Sequence, residues 1–87
     1  MALRTMITDA GSTEPRKMPH GWGWWHVERM AEVIRVEGDI PADMPLLDAL
    51  TVCCPWTVKE PHTFTDPTDG EVLHLSPGDV LDAWRDR

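Results

Sequence analysis

The side chains able to do chemistry in this chain are few. Cys53 and Cys54 stand side by side, and with His62 and His74 they give the spacing C-C-x7-H-x11-H. Thiolates and imidazoles are zinc ligands, but structural zinc sites separate their cysteines by about two to four residues so that both sulfurs turn to one ion. Adjacent residues on a strand face opposite sides. The spacing therefore favours two packed cysteines over a metal pair, and we expect neither metal nor cofactor. A Cys–His nucleophile pair would need an acid or amide to orient the imidazole, and none is recognisable. No enzyme is expected.

The second group is aromatic. Trp22, Trp24 and Trp25 fall within four residues, with Gly21 and Gly23 between and before them. Trp combines a large rigid apolar area with one N–H donor, which suits interface anchors. The same rings can instead close a small core. Stacking on single-stranded nucleic acid wants basic residues interleaved with the aromatics, and only Arg16, Lys17 and Arg29 lie near. We expect Trp22, Trp24 and Trp25, with Arg16 and Lys17, to bind a protein partner.

The third group is acidic. Asp66, Asp69, Glu71, Asp79, Asp82 and Asp86 lie in the last quarter of the chain. They read as a solvated face with turn chemistry, or as a surface that mimics nucleic-acid phosphate. Net charge is −7, with residues 1–29 at +1 and the remainder at −8. So acidic a body argues against direct phosphate binding and suits docking on a basic surface.

The elements that position these residues follow from periodicity and turn chemistry. Thr63, Phe64 and Thr65 are strand formers, and Asp66-Pro67-Thr68-Asp69-Gly70 breaks the strand. Gly70 can supply the positive φ of a hairpin loop. Glu71 to Leu75 resumes, with Leu73 and Leu75 on one face and Val72 and His74 on the other. Ser76-Pro77-Gly78-Asp79 turns the chain again. Val27, Met30, Ala31 and Ile34 recur at i, i+3, i+4 and i+7, which predicts a helix over 24–37 ending at Gly38; the competing reading is a strand at 33–36. Pro45 opens a short helix through Leu50. Thr51 to Cys54 is β-prone, and 79–86 reads as a last turn or short helix with Val80, Leu81 and Trp84 facing the core.

Residues 1–23 show no sustained periodicity and many turn residues. They predict an extended N-terminal arm over 1–21, followed by one small α+β domain over 22–87. The fold class is α+β, a hairpin-centred sheet with one main helix. Thr5 to Asp9 resembles the start of a common bacterial expression leader, so no function is read there. Eighty-seven residues bury only about 60–65% of their unfolded surface, which limits the core. No apolar run nears the roughly 18 residues of a membrane span. Met1 to Ala10 lacks a signal peptide's apolar core, so a cytosolic origin with reduced thiols is expected.

The order F-x-D-x-x-x-G-x-x-x-x-x-x-P-G-D-V, from Phe64 through Gly70 to Val80, resembles a hairpin segment of small structural and morphogenesis proteins of tailed bacteriophages. The resemblance covers residues 58–80, and the tryptophan segment lies outside it. It implies a phage source and a non-enzymatic role. The leading expectation is an accessory protein of a phage particle, docking on a larger virion protein and found in the virion or the host cytoplasm. The alternative is a small acidic inhibitor that occupies a basic site on a host protein.

Overall fold

The computed structural model describes residues 3–18 and 21–85. The expected α+β class is what the chain adopts. Strand β1 (Leu3–Thr8) precedes helix α1 (Trp24–Glu37) and helix α2 (Leu46–Cys53). Four strands follow: β2 (Trp56–Thr57), β3 (His62–Thr65), β4 (Val72–Leu75) and β5 (Val80–Arg85).

Two small sheets share one core. The first is antiparallel with order β1-β5-β2, and the second is the hairpin β3-β4. The hairpin therefore stands as its own sheet, while a larger one forms around β5. Two sequence expectations change here. The arm is no loose extension, because Leu3–Thr8 pairs with the whole of β5, from Leu3↔Arg85 to Thr8↔Val80. Residues 1, 2, 19 and 20 of the expected arm lie outside the described residues. The segment after the Ser76–Asp79 turn is a strand, not a helix. A period of two buries Leu81 and Ala83 and leaves Trp84 at 42% exposure. The ladder that decides this comes from residues more than seventy positions earlier, which local periodicity does not reveal.

Helix α1 carries the largest block of core. Val27, Met30, Ala31, Val33 and Ile34 are all buried, so the 3.6-residue spacing wins over the β-branched run at 33–36. At its start, His26 stands at the third helical position and its Nδ1 accepts the Gly23 N–H at 3.0 Å. This is the role that Glu or Gln plays in a capping box. At its end, Gly38 N–H closes on Ile34 O at 2.8 Å. A Cβ at Gly38 would lie 2.8 Å from that same oxygen and 3.2 Å from the Trp56 ring. Glycine is needed there for close approach to Trp56. Helix α2 runs on to Cys53, three residues past the expected Leu50, because Ala49 and Leu50 bury one face and outweigh the β preference of Thr51 and Val52. Ile7, Val58, Leu73, Leu75 and Leu81 bring the strands into the same core.

The hairpin matches its reading closely. Leu73 and Leu75 are buried while Val72 and His74 are exposed. Gly70 has φ +77°, and its Cβ position is open space. Any cost of a side chain at Gly70 is therefore backbone strain alone. Gly70→Val should lower stability by about 1 kcal/mol or more in urea denaturation, and Gly70→Asn should recover most of it, since Asn tolerates the left-handed region.

Candidate functional site

The tryptophan segment sits where the start of α1 meets β1. Gly21 has φ +79°, and the chain then runs extended through Gly23 into the helix. Trp22 and Trp25 are partly buried against the core. Both stand edge-on to the His26 ring, at centroid distances of 5.5 and 5.2 Å. These two rings are core-closing. Trp24, the first residue of the helix, points outward at 55% exposure. Leu3, Arg4, Thr5, Trp22, Gly23, Trp24 and Val27 line a groove of about 370 Å³.

The β1 side of this groove is a sheet edge. Leu81 and Asp79 turn their main chain toward β2, as the Val58 N–H to Asp79 O bond shows. Val80, Asp82 and Trp84 must then serve Thr8, Met6 and Arg4. The main-chain groups of Leu3, Thr5 and Ile7 accordingly face away from the sheet. Ile7 O accepts Arg16 N–H at 2.7 Å. Leu3 and Thr5 have no partner beyond β5 among the described residues.

Arg16 is not available to a partner. Its guanidinium donates to Asp9 Oδ1, to His74 O at 2.8 Å and to Asp79 Oδ2 at 3.2 Å. It clamps the 9–18 loop onto the hairpin and the Ser76–Asp79 turn. Lys17 is exposed.

Of the six expected acidic residues, the five that are described do not form one face. Asp79 is buried at 3% exposure and accepts Ala10 N–H, Ser76 N–H and Arg16. Its role is to satisfy a turn, since buried carboxylates need donors. Glu71 turns its side chain inward, with Oε2 at 3.1 Å from His26 Nε2. Because His26 Nδ1 already accepts from Gly23, the ring proton lies on Nε2 and is donated to Glu71. Asp82 is half-buried, and its Oδ1 accepts Ala83 N–H. Asp66 and Asp69 sit in the hairpin loop, Asp69 fully exposed. Asp86 lies outside the described residues. The inward turn of Glu71 and Asp79 removes the contiguous surface that phosphate mimicry requires.

The cysteine and histidine side chains are likewise dispersed. His62 Nε2 meets Glu37 Oε2 at 2.7 Å, while His74 Nδ1 meets Thr63 Oγ1 at 2.8 Å on the other face of the hairpin. Burial, with the charges of Asp82 and Cys53 beside it, pushes the Cys54 thiol up to about 12. It is a protonated, partly buried side chain at neutral pH. The described residues gather potential metal ligands within reach of one another only at Asp66, Asp69 and Glu71.

Sequence reasoning missed Glu37, which collects donors from four residues. Its carboxylate accepts Trp56 Nε1–H, Lys59 N–H, Glu60 N–H and the His62 ring. Nothing local marks it, because all four donors come from residues 19 or more positions downstream. The Trp84 exposure and the His26–Glu71 pair were missed for the same reason. A histidine three residues after a glycine cap was the one available signal.

Burial alone would raise the Glu37 pKa, but the four donors outweigh it and bring it from the ordinary 4.5 to about 2. Its folded value is below the unfolded one, so the stabilisation is fully present above pH 4.5 and is lost as pH falls toward 2. Glu37→Gln should cost about 2 kcal/mol or more at pH 7, since four donors lose one buried charged acceptor. In urea titrations this deficit should shrink between pH 4.5 and 2; a deficit independent of pH would assign it to packing. No family model, curated protein or solved structure matches this chain.

Proposed function

We propose that this domain is a non-enzymatic protein-binding module that takes an extended segment of a larger protein along the β1 edge, with Trp24 as its anchor. The observation that carries the reading is the coincidence of two features at one place. A helix-borne indole stands 55% exposed on the rim of an apolar groove, and the neighbouring strand directs the Leu3 and Thr5 main-chain groups outward beside it. An added strand would satisfy those groups, and one apolar side chain of that strand would enter the groove. Covering the exposed part of Trp24 contributes on the order of 2–3 kcal/mol before ordering costs.

The setting we favour is an accessory role in a bacteriophage particle, docking on a larger virion protein. The support is the resemblance of residues 58–80 to hairpins of phage structural and morphogenesis proteins, together with a reactive-group inventory that offers no catalytic constellation among the described residues. No described helix is long and apolar enough to cross a membrane.

The roles of the tryptophans are separable. Trp24→Ala should weaken partner binding at least tenfold, about 1.4 kcal/mol, with an unchanged melting temperature. Trp22→Ala and Trp25→Ala should lower the melting temperature, because those rings pack on His26 and the core. Arg16→Ala should also act on stability alone. The measurement is a pull-down from particle fractions followed by binding titration and a melting curve for each variant. Full binding by Trp24→Ala would move the interface elsewhere.

A further inference from the structure

The hairpin loop brings three carboxylates together. One oxygen from each of Asp66, Asp69 and Glu71 lies within 4.8 Å of the others. Asp66 and Asp69 make no ion pair among the described residues. Their Oδ1 atoms are used within the loop, Asp66 accepting Thr68 N–H and Asp69 accepting Glu71 N–H, which leaves each Oδ2 without a recorded donor. Loop hydrogen bonding explains these two residues without any ligand.

Glu71 is different. Its side chain is only 9% exposed. Oε2 is held by His26, whose proton is fixed on Nε2 by the Gly23 cap. Oε1 is buried and has no hydrogen-bond partner. A buried carboxylate oxygen is almost always matched by a donor or a cation. Among the described residues no donor serves this one, and the other two members of the cluster bring only negative charge. A cation would satisfy Oε1 and relieve the repulsion among three carboxylates together.

We propose that the β3–β4 loop binds one Ca²⁺ through Asp66, Asp69 and Glu71. The ligand set is entirely hard oxygen, which excludes a preference for soft or imidazole-seeking metals. Calcium accepts an irregular shell, and the exposed side at Asp69 admits water to complete it. Magnesium demands near-ideal octahedral geometry, which three carboxylates held by the loop's own hydrogen bonds fit less well. His26 is the positioning residue of the site: its Nε2–H holds the Glu71 carboxylate, as outer partners orient metal-bound carboxylates generally. Since His26 also caps α1 and touches Trp22 and Trp25, cation binding is connected to the tryptophan segment. The site itself rests on no assumption about a protein partner.

The test is titration of the full chain, prepared with chelator and dialysed, with calcium chloride. Calorimetry should show saturable binding of one ion per chain, with Kd on the order of 10⁻⁵ to 10⁻³ M, and Trp fluorescence should change over the same range. Asp69→Asn alters an exposed side chain and should weaken binding at least tenfold, while Asp43→Asn, exposed and outside the loop, should not. Magnesium chloride should bind at least tenfold more weakly. Absence of saturation by about 10 mM, well above the weakest modular sites, overturns the proposal. So does an equal loss in Asp43→Asn, which would mean diffuse attraction to an acidic chain. Equal affinity for Mg²⁺ overturns the assignment to calcium.

Discussion

The pairing of β1 with β5 is the constraint on which the remaining structure depends. Six residues near the start of the chain pair in register with six near its end. Without them β5 would keep only the two-residue β2 as a neighbour, and a two-stranded ribbon that short is marginal in water. The pairing also fixes which faces are inside. Ile7 lies opposite Leu81 and Thr5 opposite Ala83, so Ile7, Leu81 and Ala83 enter the core together. A slip of one residue would put Ile7 on the opposite face from Leu81 and Ala83. The outward edge of β1 and the groove beside it follow from the same register.

A small core leaves long connections to be held by other means. In this chain three buried or nearly buried polar groups hold them. Glu37 gathers the 56–62 segment onto the end of α1. Asp79 joins the Ser76 turn to the 9–16 loop, with Arg16 bridging to the hairpin. His26 joins the helix start to the hairpin through Glu71. Each is an ionisable or polar side chain surrounded by donors or acceptors from two or more elements. Such groups contribute specificity of arrangement as much as net energy, because removing any member strands a buried partner.

How much of this was legible from the sequence differs by element. The hairpin was readable, including the division of its second strand into two faces and the positive φ of Gly70, because its determinants are local turn chemistry and a period of two. Helix α1 was readable for the same reason. The first and last strands were not. Leu3–Thr8 and Val80–Arg85 stabilise each other, and neither carries a local signature strong enough to be read alone. The site suffered from the same gap. Trp22, Trp24 and Trp25 were grouped by proximity in sequence, yet Trp24 alone among them is exposed, since Trp24 and Trp25 point about 100° apart on the helix and Trp22 precedes it. Glu71 and Asp79 looked like surface charge because charge is usually solvated, and their buried partners come from distant segments.

What separates structural polar groups from candidate functional ones is closure. Glu37 and Asp79 are buried, and their recorded donors arrive from several segments, so their chemistry is exhausted by holding the fold. Three features remain open: the outward main chain of Leu3 and Thr5, the exposed Trp24 ring and the unmatched Glu71 Oε1. They are not independent. Glu71 is fixed by His26, His26 caps the helix that Trp24 begins, and Trp22 packs on His26 while lining the groove. An ion at the hairpin would therefore tighten the same helix start that presents the anchor. Ordering the helix start before association would remove part of the entropy cost of binding, so on the proposed readings an ion at the hairpin would favour partner binding through His26.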